Sequence, residues 1–503
     1  MEFPPYSQHC ARCQLYTHDP GEAVVPVLRD TRPETRAGQW KKRVLFVYPR
    51  PHRADVEAGH LLAGDRLDWL SDFLEASEFE WAVTTLNRCW PGLKEDGKQR
   101  KPTADQQRAC VNHLAATIAE FRPDVVVAMG AEVLKNLWPA DRGDAPSINK
   151  ARVTPIQHRG RWLCAAYDPI LHGIWLASGG REQRDLTEEY IRTFELLHSI
   201  CEDNYSAPVV EWRAVSALTE LDDLGRRLDE AKCRRIYFDV EDNSWLGKRV
   251  RPHEADPEGV LPEQLTIFHP DSRLLMVGVT AVLENWDSNG QPTYETYVIL
   301  PSAWQGQTGR DALERVLRGG PLVRRTVEAW NTKYDVQCLW RHTGIDLADG
   351  HTVLGDGMLL RGLPNQSVPG NGLKPTAQEL LSVPDWTIGV DNAVSEARAQ
   401  KRRAGLPALV SLEDLVLDIV CEYNANDTYW NARLVETRLN SNMLDPGFPV
   451  RAYAALMDGL PYLCAMERNG LPVDAQAFAQ EIETLVQRES QLLQRLRSVP
   501  EVR

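Results

Sequence analysis

Acidic residues recur in four short stretches of the second half of this 503-residue chain. The stretches are 236–241 (IYFDVE), 330–335 (WNTKYD), 356–359 (DGML) and 423–427 (YNAND). Asp239 and Glu241 stand two residues apart at the end of an apolar strand, so both side chains should leave the same side of a sheet. The four stretches together predict the carboxylates of a metal-dependent nuclease.

Two further pairs are four residues apart, which places each pair on one face of a helix. They are Asn331 with Asp335 and Tyr423 with Asp427. The predicted acidic cluster has four members: Asp239, Glu241, Asp335 and Asp427. These charges would repel one another in isolation, and divalent cations would relieve the repulsion. The sequence therefore predicts a two-metal site.

Phosphodiester hydrolysis needs a water made nucleophilic and a leaving 3′-oxygen stabilised as it gains charge. Two Mg²⁺ or Mn²⁺ ions roughly 3.5–4 Å apart do both. We expect Asp239 to bridge the two ions, Glu241 and Asp427 to complete one of them, and Asp335 to support the other through water. Tyr423 is expected to orient the attacking water, because a phenol of pKa ~10 is a poor base at neutral pH.

The elements that position these residues follow from apolar spacing. Strands are predicted at 235–239, 274–280 and 294–300, with an antiparallel start. Helices are predicted at 311–317, 335–342, 374–381 and 412–439. The long polar stretch 242–269 is predicted to be a loop insertion.

The first ~200 residues alternate strands and helices, as an α/β layer does. Strands are predicted at 41–48, 124–129 and 161–167, and a helix at 104–121. Because the polar stretch 201–208 breaks this pattern, we divide the chain into domains 1–205 and 206–446.

A tail follows at 447–503 and is predicted to be helical throughout. Its apolar stripe comprises Phe478, Ile482, Leu485, Leu492 and Leu496. The stripe either packs on its own nuclease domain or begins a further domain.

Composition bounds the function. With 57 basic and 71 acidic residues the formal charge is −14, which argues against strong nucleic-acid binding, although local patches decide phosphate attraction. Basic runs at 98–101, 248–251 and 401–403 leave weak, salt-sensitive binding as the expectation. No apolar run approaches a membrane span of ~20 residues, and no secretory signal is expected. Ten cysteines in this length favour a reducing, cytoplasmic setting.

A second candidate centre consists of Cys10, Cys13, Cys89 and Cys110. A Cys-x-x-Cys step lets two thiolates bind one centre, and two distant cysteines can close it. Spacing alone leaves open an iron–sulfur cluster, a zinc site or four ordinary thiols. The other cysteines lack ligand spacing and are expected in the core: Cys164, Cys201, Cys233, Cys338, Cys421 and Cys464.

The carboxylate stretches resemble the three motifs of the DnaQ-like 3′–5′ exonucleases, in the subclass with Tyr in the third motif. The closer resemblance is to the proofreading domain of family A DNA polymerases, where 330–335 is followed by 356–359 and by Leu373-Lys374 at the start of a helix. It implies a ribonuclease H-like α/β fold and the metal-site roles assigned above. It also implies that Asn331 contacts the substrate.

Residues 466–474 (MERNGLPVD) resemble the point where such polymerases pass from exonuclease to thumb. This implies the N-terminal part of a family A replicative polymerase of the bacteriophage type, acting in the host cytoplasm. The expected partners are single-stranded DNA 3′ ends, primer–template DNA and a polymerase domain or subunit. No palm or fingers motif occurs before Arg503, so this chain alone is not expected to polymerise.

The first ~200 residues resemble the iron–sulfur branch of the uracil-DNA glycosylase superfamily. The matching stretches are Cys10 with Cys13, 87–91 (NRCWP), 101–103 (KPT) leading to Cys110, 123–131 (PDVVVAMGA) and 167–169 (YDP). The resemblance implies an α/β/α sandwich. It also implies a structural [4Fe–4S] cluster on the four cysteines, with zinc as the lesser alternative.

Two departures from that family concern its chemistry. Residues 48–51 (YPRP) stand where the family has Gly-Glu-Ala-Pro, so an acid that helps to activate water is absent. Asp168 stands where the family has a histidine that stabilises the departing uracil, and an acid there would repel it. His172 would substitute only through a loop shift. We expect no glycosylase activity, but a fold that still grips DNA or a flipped base.

Three functions remain at this point. The leading prediction is a proofreading-type 3′–5′ DNA exonuclease behind a degenerate glycosylase-like domain. An RNA-trimming exonuclease of the ribonuclease D type shares the same carboxylates. A non-catalytic module that binds DNA or a partner would retain them only as relics.

Overall fold

A computed structural model describes most of the chain. The described residues are 27–28, 42–61, 63, 70, 73–74, 76–77, 79–93, 100–142, 144–170, 187–243, 245–246, 267–286, 292–321, 323–364, 371–470 and 474–498. They hold two six-stranded sheets, one small two-stranded sheet and many helices. The predicted α/β fold class is confirmed. Across those ranges no helix combines the length and the apolar character that a membrane span needs.

The first sheet has the strand order β1-β3-β2-β4-β6-β5. Its strands are β1 (Val27–Leu28), β2 (Arg43–Tyr48), β3 (Glu80–Thr85), β4 (Val125–Met129), β5 (Ile156–His158) and β6 (Arg161–Ala166). The four inner strands are parallel, and the two edge strands are antiparallel to their neighbours. The strands predicted at 41–48, 124–129 and 161–167 therefore exist with nearly the predicted bounds.

Helices cover both faces of this sheet. They are α1 (Arg53–Ala58), α2 (Ala104–Phe121), α3 (Ala131–Leu137), α4 (Ile148–Ala151) and α5 (Thr187–Cys201). Alternate residues of β2 point to opposite faces. Phe46 stacks on Phe194 of α5 with 5.9 Å between ring centroids, whereas Leu45 packs in the cluster that contains Leu114 of α2. The result is the predicted α/β/α sandwich.

The second sheet has the order β13-β12-β8-β10-β11-β7. Its strands are β7 (Trp212–Val215), β8 (Arg235–Asp242), β10 (Leu274–Trp286), β11 (Pro292–Ile299), β12 (Thr326–Ala329) and β13 (Val353–Asp356). β8, β10 and β11 are successively antiparallel, as predicted, and β12 and β13 run parallel to β8. β9 (Trp245–Leu246) and β14 (Val410–Ser411) pair separately.

Seven α-helices accompany the second sheet in the described part of the chain. They are α6 (Leu218–Glu230), α7 (Gly306–Arg318), α8 (Thr332–Thr343), α9 (Gly357–Gly362), α10 (Leu373–Leu381), α11 (Ile388–Arg403) and α12 (Leu417–Leu434). The helix predicted at 412–439 is shorter in α form, because a π-helical segment, Val435–Leu439, follows it. α11 was not predicted, since only Val390 and Val394 are buried along it.

The alternation of β8 positions the acidic residues. Ile236, Phe238 and Val240 belong to the core on one face. Asp239 lies on the other face, against α12, and pairs in register with Gly278 of β10. A Cβ at Gly278 would lie 2.3 Å from Oδ1 of Asn424, so α12 approaches the sheet as closely as the glycine allows.

The tail consists of α13 (Val450–Asn469) and α14 (Ala475–Ser498) in its described part. α13 buries Leu460 and Cys464 in the core of the second domain. In α14, side chains from 480 to 496 are exposed, and Leu485 and Leu492 are more than half exposed. α13 therefore packs on the second domain. The described members of the predicted stripe, Ile482, Leu485, Leu492 and Leu496, are exposed, so they do not pack on that domain.

Candidate metal centre

Three carboxylates from two elements converge beside the second sheet. Asp239 and Glu241 come from β8 and Asp427 from α12, and one oxygen of each lies within 4.8 Å of the others. Oxygen donors this close can contact a single cation, and a set of carboxylates alone suits Mg²⁺ or Mn²⁺. The chemistry of this donor set therefore fits the predicted divalent metal.

Asp335 lies at the margin of this group. It is carried by α8, is 3% exposed, and its Oδ1 accepts a hydrogen bond of 3.2 Å from the backbone N–H of Val240. Its carboxylate is not one of the three that meet within 4.8 Å. A supporting role through water stays a prediction for Asp335.

Mutual repulsion and burial disfavour the charged forms of the clustered carboxylates. Burial, followed by the charge of Asp427, raises the pKa of Asp239 to about 7. Burial and the charge of Asp239 also raise the pKa values of Glu241 and Asp335 well above the usual range of a carboxyl group. A divalent cation would relieve this repulsion, as predicted from the sequence.

Both oxygens of Asp427 have partners that sequence reasoning did not assign. Lys374 Nζ at the start of α10 lies 2.5 Å from Oδ2, and Trp386 Nε1 donates to Oδ1 at 2.6 Å. Burial lowers the pKa of Lys374, but Asp427, Tyr423 and Asp239 together outweigh burial, so the net pKa is raised and the ammonium form persists. Lys374 stood in a motif-like stretch, whereas no local pattern identifies Trp386.

Tyr423 lies on the same helical face as Asp427, as predicted. Its hydroxyl accepts a hydrogen bond of 3.0 Å from Lys374 Nζ, which also lies 4.7 Å from the ring centroid. Burial, together with the charge of Asp427, raises the pKa of Tyr423 well above 10, so the phenol stays neutral. This environment suits a residue that orients water rather than one that removes a proton.

Asn424 is a further residue that the sequence analysis missed. It is fully buried, and its Nδ2 donates to Asp239 Oδ2 at 2.9 Å. Thr428, four residues later, meets Thr280 of β10 at 3.0 Å. The i, i+4 spacing of these two small polar residues was the available signal for a helix face pressed against the sheet.

The predicted helical pairing of Asn331 with Asp335 is wrong. Asn331 has a φ of 69° and precedes α8, because the chain turns sharply there before the helix begins. The Asp356 carboxylate accepts the backbone N–H groups of Thr332 (2.9 Å) and Met358 (2.9 Å), with longer bonds from Asn331 and Leu359. Asp356 therefore caps α8 and α9 and is not in the carboxylate group. Asn331 is exposed, and its substrate contact stays a prediction.

The first domain places its departures from the glycosylase pattern together. Asp168 is half-buried beside Gly130, and its carboxylate accepts a hydrogen bond of 3.1 Å from the backbone N–H of Ile170. Burial of the carboxylate raises its pKa. Arg50 forms an ion pair of 3.0 Å with Glu132. His172 lies outside the described residues.

Two of the four candidate cluster cysteines can be located. Cys89 is half-buried after β3, and Cys110 is buried in α2. Cys10 and Cys13 fall outside the described residues, so the ligand set stays a prediction. The six cysteines predicted to be core residues are all buried.

Comparison with known proteins finds a family match in the first domain. A family model described as the uracil DNA glycosylase superfamily matches residues 36–187. A type-4 uracil-DNA glycosylase of Thermotoga maritima is 29% identical over 126 residues, which cover 24% of this chain. The chain spans 62% of the length of that relative. Cys10 and Cys13 lie outside the matched family range.

Solved structures resemble about half of the chain. Brucella melitensis NrnC with bound Mg²⁺ has a TM-score of 0.31 and 16% identity, over 53% of this chain and 99% of that one. Trypanosoma brucei RNase D in complex with GMP has a TM-score of 0.34 and 14% identity, over 52% and 65%. The Aedes aegypti Nibbler EXO domain has 0.29 and 12%, over 51% and 98%. The family match shows that residues 36–187 contain a uracil-DNA glycosylase-like domain.

Proposed function

We propose that this protein is a metal-dependent 3′–5′ DNA exonuclease of the proofreading type. The observation that carries the proposal is the convergence of Asp239, Glu241 and Asp427 within 4.8 Å, beside Tyr423. The 3′–5′ direction rests on the resemblance of the motifs to DnaQ-like exonucleases. DNA is favoured over RNA as the substrate because the glycosylase-like domain matches a family named for acting on DNA.

Each residue of the site has a separate proposed role. Asp239, Glu241 and Asp427 would hold the divalent metal, with Asp335 as a supporting carboxylate. Bound metal would supply activation of water and stabilisation of the leaving oxygen. Tyr423, kept neutral by burial and held by Lys374, would orient the water. Asn424 fixes the rotamer of Asp239 through its hydrogen bond.

The first domain is proposed to lack glycosylase activity. Arg50 is engaged by Glu132, and Asp168 occupies the position of the family's histidine. The remaining proposed role of this domain is to bind DNA or a flipped base without cleavage. Release of uracil from duplex DNA at enzymatic rates would contradict the proposed absence of glycosylase activity. A [4Fe–4S] cluster on Cys10, Cys13 and the two cysteines located above is proposed from the resemblance, and iron and zinc analysis of the purified protein distinguishes the alternatives.

The wider context is also a proposal. The domain division at 205 rests on the polar stretch 201–208. The division at 446 and membership of a family A replicative polymerase assembly rest on the helical tail and on the motif at 466–474. A polymerase domain or subunit is the proposed partner. The exposed stripe of α14 is compatible with such a partner.

Digestion of a 5′-labelled single-stranded DNA with Mg²⁺ or Mn²⁺ tests the function. We expect a ladder that shortens from the 3′ end, is abolished by a chelator, and is slowed at least about 100-fold by Asp239→Asn, since a direct ligand matters at least as much as its outer-shell partners. Asp418→Asn, an exposed carboxylate on the same helix as Asp427, is the matched control and should cleave normally.

An RNA of the same sequence runs in parallel. Faster digestion of RNA than of DNA would replace the proofreading proposal with the RNA-trimming one. No cleavage of either substrate by the folded native chain would contradict the exonuclease proposal and favour a binding module.

A further inference from the structure

The glycosylase-like domain grips one short segment of the second domain. The hydroxyl of Thr154 accepts a hydrogen bond of 2.8 Å from the backbone N–H of Asp385. The ammonium group of Lys150, in α4, binds the Thr387 hydroxyl and the Asp391 carboxylate at the start of α11. Segment 385–391 is therefore held from the first domain on both sides of residue 386.

The held segment is itself a tight turn. The Asp385 carboxylate accepts the backbone N–H of Thr387 at 2.8 Å and its hydroxyl at 2.6 Å, and Asp385 is only 5% exposed. A short turn that is closed on itself and anchored by a second domain leaves little freedom to the residue at its centre. That residue is Trp386.

Trp386 connects this turn to the metal centre. Its indole N–H donates to Asp427 Oδ1 at 2.6 Å, and its ring stacks on Trp430 with 6.2 Å between centroids. The indole N–H thus fixes one oxygen of Asp427. The orientation of the other oxygen therefore depends on the position of the Trp386 side chain. A partner that orients a metal-binding carboxylate in this way is an outer-shell residue, and such partners typically change metal affinity 10–100-fold when removed.

We infer that the glycosylase-like domain sets the metal affinity of the exonuclease centre, with Lys150 and Thr154 holding the turn that carries Trp386 and Trp386 orienting Asp427. Lys150, Thr154 and Trp386 are positioning residues in this inference. It rests on the proposed function, because Asp427 matters here as a metal ligand. It gives the first domain a task that needs no glycosylase chemistry.

Binding of Mn²⁺ to the full-length protein, measured by titration calorimetry, tests the inference directly. Trp386→Phe retains an aromatic ring at this position but removes the N–H donor, and should raise the Kd for Mn²⁺ by about tenfold or more. The double variant Lys150→Met with Thr154→Val removes both grips and should raise the Kd about three- to tenfold, as an indirect effect. Cleavage assayed across Mn²⁺ concentrations should show the same shift in the Mn²⁺ requirement, with a smaller change in the maximal rate.

Two controls separate positioning from general destabilisation. Lys135→Met removes an exposed lysine of α3 in the same domain and should bind Mn²⁺ like the native protein. Thr154→Ser retains the accepting hydroxyl and loses only the methyl group, so it should bind Mn²⁺ with native affinity. If Thr154 acted only through steric packing, loss of the methyl group would weaken Mn²⁺ binding. Thermal unfolding shows that each variant is folded at the temperature of the titration.

The outcomes are distinct. Native Mn²⁺ affinity in the double variant overturns the inference, whether or not Trp386→Phe binds more weakly. Native affinity in Trp386→Phe overturns it as well. If the native protein binds Mn²⁺ but cleaves nothing, the exonuclease proposal fails while the affinity comparison still decides the inference. If the native protein binds no Mn²⁺, the metal centre and the inference both fall.

Discussion

Glu328 shows at the scale of one residue how burial competes with charge in this protein. It lies on β12, is 6% exposed, and faces Arg235 at 3.5 Å. The same guanidinium is shared with Glu436 at 2.5 Å. Burial therefore prevails over the divided positive charge and raises the pKa of Glu328 to about 7, from 4.5.

We expect Glu328→Gln to make the protein more stable than the native chain above pH 7. A carboxyl group whose pKa is raised in the fold contributes most below pH 4.5, and its contribution is lost as the pH rises from 4.5 to about 7. The amide does not ionise, so the free energy of unfolding of the native chain should fall by on the order of 3 kcal/mol relative to the variant across that window.

Urea unfolding of both proteins at several pH values between about 4.5 and 8 measures this difference. Glu422→Gln, at an exposed position of α12, is the control and should leave the pH dependence unchanged. A difference between the native chain and Glu328→Gln that does not vary with pH would refute the assignment.

At the scale of elements, the metal centre depends on how closely α12 approaches β8 and β10. Asn424 and Thr428 of α12 fill the space above Gly278, where a Cβ would meet them at 2.3 and 2.9 Å. Asp239 lies across the strand pair from this glycine. The distance between the carboxylates of β8 and α12 therefore depends on Gly278, a residue that has no carboxylate of its own.

Gly278→Ala should lower both the free energy of unfolding and the rate of DNA cleavage. The added methyl group forces α12 away from the sheet, which costs about 1–3 kcal/mol and separates Asp427 from Asp239. Gly389→Ala is the matched control, because an added Cβ would meet no atom within 4 Å beyond its chain neighbours and its own helix backbone. Alanine also favours the α11 helix by about 1 kcal/mol. Unfolding and cleavage assays on both variants test this, and native behaviour of Gly278→Ala would be incompatible with the packing described.

The carboxylates could be predicted from the sequence because their signals are local. Asp239 and Glu241 follow from the period of a strand, and Tyr423 with Asp427 from the period of a helix. The structure retains both spacings. The helical pairing predicted for Asn331 was wrong because a turn with positive φ precedes α8. Four-residue spacing alone does not distinguish a helix from the turn that precedes it.

Other features required the tertiary structure. Trp386 reaches Asp427 from 41 residues away in sequence, and no periodic pattern connects them. Helix α11 escaped prediction because an almost wholly polar helix carries little hydrophobic periodicity. The strand pairs, by contrast, followed from apolar runs, which is why the order of antiparallel strands β8, β10 and β11 was predicted correctly.

At the scale of the whole molecule, one arginine ties the tail to the second domain. Arg468 near the end of α13 binds Asp346 through both terminal nitrogens at 2.6 and 3.0 Å, and Gln337 at 2.7 Å. Its guanidinium also lies 4.1 Å from the ring centroid of Trp340. Together with the buried Leu460, this contact fixes α13 and thereby the point from which α14 departs.

Arg468→Met should loosen the tail while leaving the carboxylate cluster in place. Loss of charge-assisted hydrogen bonds that are largely shielded from water costs about 2 kcal/mol. The urea midpoint should fall, and limited proteolysis should release the tail faster than from the native chain. Arg451→Met, at an exposed position of the same helix, is the control. Equal proteolysis of the two variants would show that Arg468 is not the anchor.

The ion pair between Lys374 and Asp427 turns metal loading into an exchange reaction. A divalent ion that takes Asp427 as a ligand competes with an ammonium group tethered to the protein at a high effective concentration. Each measured metal affinity is then the ratio of the association of the metal with Asp427 to the association of Lys374 with Asp427. Replacing Lys374 by an uncharged side chain would remove the ion pair and thereby strengthen metal binding. The same tethered cation keeps the carboxylates close together before loading, so ease of loading is balanced against the integrity of the site.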